Sequence, residues 1–521
     1  MSQFDDLLAQ PFGTIPELIA CHAQTRPDHT ALIEGEQRLS YGELDAQMNR
    51  IAAALQRDGL VPGDVIAICA TTSIAYVETF FGALRAGVVV APLAPSATAD
   101  HLGAMLDNSQ AKLLFRDADI AQQWPAAGHT GQCIALDDRA EAGKPFSDWL
   151  TPVGTLPQPV QPDPQRGFNL IYSSGTTGVP KGIVQSLGMR WQHVNRGNVN
   201  GYTRDTIAIA ATPMYSNTTL VAALPTLSMG GTLVLMPKFN AAKFLKLVEQ
   251  HKVTHAMLVP VQYQRLLDAP EFDQTDLSTL TTKFCTSAPF KADLKAEVLR
   301  RWPGKLIEYY GMTEGGVGCQ LECHTYPHKL HTVGKPREGT IVVMIDDQGK
   351  PLPPGELGEI VGHSAAMMNG YYRLPEKSAE IEWFDDQGRR YLRTGDVGRF
   401  DEDGFIVLGD RKKDMIISGG FNIYPQDIEA ELVQHPEVRE CSVIGVPSRE
   451  WGETPVAYVV ARDASRNPAE LGAEVKAWLN GRVGKTQRVA DLVVVDSLPR
   501  SEIGKVLKRD LRELYQRSTA V

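Results

Sequence analysis

The chain has 521 residues, 43% of them in the hydrophobic set and 22% charged. At roughly 100–200 residues per domain it should hold two to four packed units, and the composition excludes a disordered, collagenous or coiled-coil chain. The 52 Lys and Arg against 62 Asp and Glu leave a net charge of −10, with no basic excess for a nucleic-acid partner, and an odd seven cysteines suit reduced thiols in a cytoplasmic protein better than a disulfide framework.

The opening stretch, MSQFDDLLAQPFGT, has early acids and no long apolar core, so no signal peptide is expected, and no run reaches the length of a membrane span. The run VIAICA at 65–70 predicts a buried strand, TSIAYVETFFGALRAG at 72–87 a crossover helix closed by Gly87, and VVVAPL at 88–93 the next strand. The Pro- and Gln-rich 151–168 predicts an extended surface connection. Further buried strands are expected at 231–236, 255–260 and 441–446. Alternation of this kind implies parallel sheets in stacked α/β layers. From about residue 340 the turn signals DDQGK, DDQGRR and DEDG mark a β-rich subdomain, and the last stretch of the chain is a small α+β unit joined near Asp410–Lys413.

After the apolar FNLI comes Tyr172-Ser-Ser-Gly-Thr-Thr-Gly-Val-Pro-Lys-Gly182, which packs hydroxyls, glycines and a lysine together. Backbone N–H groups bared by Gly175 and Gly178, the hydroxyls of Ser173, Ser174, Thr176 and Thr177, and the charge of Lys181 suit phosphate oxygens. Val-Pro separates Gly178 from Lys181, so the segment is not a Walker A loop. By residue type alone a surface turn remains the alternative.

The segment resembles the signature loop of the adenylate-forming enzymes, the superfamily of acyl- and aryl-CoA synthetases, peptide-synthetase adenylation domains and firefly-type luciferases. Further motifs resemble that family in its order. Tyr310-Gly-Met-Thr-Glu314 implies adenine packing by Tyr310, with Glu308, Tyr309 and Gly311 beside it, Thr313 at the phosphate or carboxylate, and Glu314 as the Mg²⁺ ligand. Ser287-Ala288-Pro289 is placed like the segment on the base's other face. Arg393-Thr-Gly-Asp396 implies a ribose anchor at Asp396, and Gly409-Asp-Arg-Lys-Lys413 a ribose contact at Arg411 and a pivot at Lys413. Leu498-Pro-Arg-Ser-Glu-Ile-Gly-Lys505 implies the catalytic lysine of adenylation at Lys505, and Thr176, Lys181 and Lys413 join the catalytic set. The implied fold is a large N-terminal domain, 1–410, and a small mobile C-terminal domain, 411–521.

The same resemblance implies a CoA tunnel at Ser418, Gly419 and Gly420, with Trp451 on the CoA adenine and Lys485 and Arg488 near its phosphates. Tyr215, Ser216, Thr219, Gly315 and Gly316 match the acid pocket, and Ser216 stands where many relatives have His. No Lys or Arg lies between Asp205 and Lys238, which favours a monocarboxylic acid with an apolar tail unless Arg190 or Arg196 intrudes.

The implied reaction joins a carboxylic acid to CoA at the cost of ATP, through an acyl-adenylate, with AMP and pyrophosphate released. The acid is expected to be aromatic, alicyclic or medium-chain. The rivals are a stand-alone ligase loading a carrier protein and a nucleotide-binding homologue that has lost catalysis. Cys319, Cys323, His324, His328 and His331 collect metal-ligand residue types without a standard zinc spacing, and Cys285 reads as core packing. Lys505 sits in a context like that acylated in bacterial relatives, which implies a protein acyltransferase or deacylase as a partner.

Overall fold

The computed structural model describes residues 3–124, 131–173, 180–197, 199–411, 414–418, 421–448, 451–484, 487–501 and 504–519. The chain is a mixed α/β protein with a large N-terminal and a smaller C-terminal domain. By its contacts it divides into a first compact unit, 1–330 with 336–341 and 363–392, and a second, 331–335 with 342–362 and 393–521.

Two sheets build the first unit. One runs, in spatial order, through Lys335–Pro336, Gly318–Glu322, Lys305–Gly311, Thr282–Cys285, His255–Leu258, Ile207–Ala210, Thr232–Leu235, Thr30–Glu34 and Gln37–Ser40; Gly318–Glu322 pairs antiparallel with Lys305–Gly311 and Thr30–Glu34 with Gln37–Ser40, and the strands from Lys305–Gly311 to Thr30–Glu34 are parallel. The other runs Gly370–Tyr371, Lys181–Ser186, Gly167–Ser173, Val89–Pro92, Val65–Cys69, Leu113–Arg116, Gln132–Ala135 and Lys144–Pro145. Every residue of Val65–Cys69 is buried, as expected of a parallel strand covered on both faces. Ile66 and Ile68 join a core that also holds Leu233, Leu235, Ile51 and Phe80, so helices fill the space between the sheets. Val65, Ala67 and Cys69 face a second core with Leu102 and Leu106.

The crossover helix spans Ile74–Arg85. Ser73 Oγ accepts from Tyr76 N at 3.2 Å to start it, and Gly87, at φ +72°, donates to Leu84 O to end it. Gly82 lets this helix press against Tyr41–Arg57, since a Cβ there would sit 2.6 Å from Ile51. All three Asp-led turns use one device. Asp346, Asp385 and Asp401 each accept, through Oδ1, the amides two and four residues on, at 2.8–3.0 Å.

In the second unit the sheet order is Phe421–Ile423, Ile416–Ser418, Gly452–Ala461, Val438–Ser448, with Asp491–Val494 parallel to Gly452–Ala461. Period-two alternation splits its side chains between two cores. Val443, Ala457 and Val459 pack with Leu432, Leu471 and Val475, whereas Ile444, Val456 and Tyr458 pack with Leu498 and Leu511.

Candidate active site

Lys181 opens the strand Lys181–Ser186, directly opposite Ser173 on Gly167–Ser173. Ser174, Gly175, Thr176, Thr177 and Gly178 lie outside the described residues, and Ser173 is described through its backbone. Lys181 Nζ stands 5.2 Å from the centroid of the Tyr371 ring, and the Tyr371 hydroxyl donates to Glu314 Oε1 at 2.8 Å. Tyr371, which pairs with Ile183, thus joins two sequence-predicted residues from distant parts of the chain. Burial and the Glu314 carboxylate both push its phenol well up, so it remains a donor. Tyr371 belongs to none of the motifs picked out in the sequence.

Thr313 and Glu314 sit on a turn between Lys305–Gly311 and Gly318–Glu322, held from three sides. Thr313 O accepts from Gln185 Nε2 at 2.7 Å, Glu314 O from Met368 N at 2.7 Å, and Gly316 N donates to Ala366 O at 3.0 Å. Gly315 has φ +80°, and a Cβ there would lie 1.9 Å from Ala366 O. Gly315 and Gly316 therefore build the turn that presents Glu314. Among the described residues no group of three or more His, Cys, Asp or Glu could hold a metal ion. A lone carboxylate with one oxygen engaged by Tyr371 fits a cation that brings other ligands with it, as Mg²⁺ does on nucleotide phosphates.

Successive residues of Lys305–Gly311 point to opposite faces. Glu308 is 4% exposed and ion-paired at 2.5 Å with Lys295, itself buried; burial pushes its carboxyl up to about 7 although Lys295 opposes the shift. It is thereby engaged within the fold. Tyr309 faces the other way, stacked on Phe284 at 5.5 Å with the Arg337 guanidinium 5.6 Å from its centroid. Tyr310 and Gly311 pair with Cys319 and Gly318. Ser287, exposed, takes φ +78° where a glycine would be at ease, and its hydroxyl meets that of Thr218 at 2.5 Å; Ala288 is half-buried and Pro289 exposed.

In the acid-pocket segment Ser216 caps the helix Asn217–Ser228, accepting from Thr218 N at 3.3 Å. Thr219 bonds Thr212 Oγ1 at 2.7 Å and Pro213 O at 2.6 Å, and Tyr215 is half-buried. Arg190 is fully buried, with Nε and Nη2 on Asn169 Oδ1 at 3.1 and 3.0 Å and Nη2 also on Gln185 Oε1.

The remaining candidates belong to the second unit. Asp396 and Arg411 are cross-strand partners on adjacent strands, next to a bulge, with Asp396 N donating to Thr394 Oγ1 at 3.0 Å; Arg411 is described through its backbone. Lys505 is half-buried and ends a turn in which Ser501 N donates to Lys505 O at 2.8 Å and Lys505 N to Ser501 Oγ at 3.2 Å. Ser418 is buried and pairs with Gly452, which brings it beside Trp451, 49% exposed. Arg488 is exposed, apart from that corner in sequence and strand pairing, and Lys413, Gly419, Gly420 and Lys485 lie outside the described residues. Cys285 is buried in its strand and its thiol is pushed well up by burial. Cys319 and Cys323 are likewise buried, and His324 Nδ1 meets Leu306 O at 3.2 Å.

Residues 19–372 match the AMP-binding enzyme family, and 427–505 match the AMP-binding enzyme C-terminal domain. The chain belongs to the AMP-binding enzyme family. It is 36% identical over 503 residues to a feruloyl-CoA synthase of Amycolatopsis sp, covering 95% of this chain and 97% of that one. It is 31% identical to a fatty acid–[acyl-carrier-protein] ligase of Streptomyces coeruleorubidus, covering 96% of each. Among solved structures it resembles ATP-bound MatB from Rhodopseudomonas palustris, with a TM-score of 0.85 at 30% identity over 97% of this chain and 99% of that one. This family member is an AMP-forming acyl/aryl-CoA synthetase, an acid–thiol ligase that takes ATP, CoA and a small carboxylic acid as substrates. No helix among the described residues is long and apolar enough to cross a membrane.

Proposed function

We propose that the chain activates an aromatic monocarboxylic acid with ATP and transfers the acyl group to CoA in the cytoplasm. The observation that carries the aromatic choice is the 36% identity, over 95% of this chain, to a feruloyl-CoA synthase. A carboxylate resists attack by a thiol because its oxygen is a poor leaving group. Attack of the acid on the α-phosphorus of ATP removes that obstacle by making a mixed anhydride, and the protein's work is positioning and charge neutralisation.

In this proposal the loop of Ser173, Ser174, Gly175, Thr176, Thr177 and Gly178 cradles the phosphates, Lys181 offsets their charge, and Thr313 orients the reacting oxygens. Glu314, held by Tyr371, is the residue that would bind Mg²⁺, whose charge stabilises the departing pyrophosphate when it is bound. Tyr310 and Ser287–Pro289 flank adenine beside Gly311, and Asp396 with Arg411 holds the ribose. Glu308 acts on the base only through the strand that its Lys295 pair anchors. Lys505 reaches the attacking carboxylate, and Lys413 is the pivot between 1–410 and 411–521. Ser418, Gly419, Gly420, Trp451, Lys485 and Arg488 receive CoA, and acylation of Lys505 by a protein acyltransferase would silence adenylation.

The test is acid-dependent pyrophosphate release across aromatic, alicyclic and medium-chain acids, with thioester formation followed by mass at micromolar CoA. Aryl-CoA formed fastest from an aromatic acid is the expected result. The similarity to an acyl-carrier-protein ligase favours a second reading. Pyrophosphate release without any thioester on CoA would establish that one and overturn CoA as acceptor.

A further inference from the structure

The helix Leu187–Asn195 and Arg196, which continues its helical backbone, place Met189, His193 and Arg196 on one face at i, i+4 and i+7. The charges on that face bear on Arg337 and on Tyr309 of the strand Lys305–Gly311. At one end Met189 Cε comes 3.0 Å from where a Cβ of Gly315 would be, next to Glu314. At the other end, about 10 Å away by helical rise, Arg196 is close enough for its charge to act on Arg337 and Tyr309. Arg337 lies flat on Gly318: its N donates to Gly318 O at 2.9 Å, and a Cβ on Gly318 would fall 2.5 Å from Nη2. Gly318 in turn pairs with Gly311.

This far end is electrically unbalanced. Neither Arg196 nor Arg337 has an ion pair with a carboxylate among the described residues, and Glu322, the acid that acts on Tyr309, is bonded to Gln320 Nε2 and Thr325 Oγ1. Arg337 Nε and the Tyr309 hydroxyl are buried without a hydrogen-bond partner. His193 adds no charge, because burial and the three nearby arginines hold it well below the usual histidine range. Burial, and then Arg337, push Arg196 down to about 10. Buried donors and cations left in this state are costly, and a negatively polarised oxygen from a ligand would satisfy them together. Arg190, by contrast, has its acceptors in Asn169 and Gln185 and is already satisfied.

We infer that Arg196, Arg337 and Tyr309 form a specificity subsite for an oxygen-bearing substituent at the end of the aromatic acid remote from its carboxyl group. The inference rests on the aromatic-acid reading and on Thr313 and Glu314 marking the carboxyl end. The separation of about 10 Å along the helix suits a rigid 3-arylpropenoic acid with its oxygen at the para position. The absence of Lys and Arg between Asp205 and Lys238, which favoured an apolar tail, is offset by two arginines delivered from outside that segment.

The test compares kcat/KM for pyrophosphate release with 3-phenylpropenoic acid and its 4-hydroxy and 4-carboxy derivatives, in the wild type and in Arg337→Gln and Arg196→Gln. The wild type should prefer one of the oxygenated acids at least about 10-fold, and each substitution should narrow that ratio by roughly 10–100-fold, mainly through KM. Which derivative leads distinguishes a phenolic oxygen from a second carboxylate. A wild type that turns over all three acids equally, or variants whose ratio stays within about 3-fold of the wild type, would overturn the subsite while leaving the ligase intact. Release with aliphatic acids alone would overturn the aromatic reading, and the subsite with it. Because the wild-type ratio is itself decisive, poor folding of a variant does not protect the inference.

Discussion

Single residues in this chain divide by whether their chemistry needs a neighbour that the sequence names. Lys181 and Glu314 stood out as candidates because each belongs to a short motif. Tyr371, which bridges them, and Arg337, which lies over Tyr309, did not, since neither belongs to a motif picked out in the sequence. Lys283 is a third such case. It is fully buried, donates to Pro303 O and Gly304 O, and is pushed down to about 7 by burial alone. Its ordinary value is 10.5, so between about 7 and 10.5 the unfolded chain binds a proton that the folded chain does not. Stability from this group therefore rises with pH across that window, with a slope approaching about 1.4 kcal/mol per pH unit, and the penalty for charging it is complete below pH 7. Thermal melts of the wild type and Lys283→Met from pH 6 to pH 9 should converge or cross as pH rises. Parallel melting curves would show that the lysine stays charged in the fold.

At the scale of elements, periodicity found the interior strands because parallel strands covered on both faces must be apolar throughout, as Val65–Cys69 is. The three Asp-led turns were legible for an equally local reason, one carboxylate oxygen collecting two amides. The turn that presents Glu314 was harder to read. Its glycines matched the acid pocket by resemblance alone, and nothing in the sequence announced that Gly315 and Gly316 both take positive φ and are clamped against Ala366. Gly315→Ala should accordingly cost both backbone strain, about 1–3 kcal/mol, and an overlap with Ala366 O that only a displaced turn can relieve. Gly339→Ala separates the two effects, since Gly339 has φ +74° with nothing within 4 Å of its would-be Cβ. Thermal unfolding should place Gly315→Ala clearly below Gly339→Ala, with acid-dependent pyrophosphate release lost in the first and kept in the second. Equal melting points would mean that Ala366 does not constrain the turn.

For the molecule as a whole, the net charge of −10 poses a problem that the candidate sites would have to answer locally, because ATP and CoA are polyanions. The candidate cations are distributed over both compact units: Lys181, Arg196 and Arg337 belong to the first, Arg411 and Lys505 to the second. A reaction that needs a cation at the attacking carboxylate during adenylation, and an open path to the thiol afterwards, gains from keeping that cation on a separate body. Lys505 suits the task, on a turn closed by Ser501 through two hydrogen bonds, so its position follows the second unit rather than a flexible tail. If it serves adenylation alone, Lys505→Ala should lose acid-dependent pyrophosphate release by roughly 10²–10³. The same variant, supplied with pre-formed acyl-adenylate and CoA, should still make the thioester at close to the wild-type rate. Rapid-quench measurement of the two half-reactions decides the matter. A parallel fall in both would place Lys505 in a site common to the two steps and remove the case for a division of labour between the units.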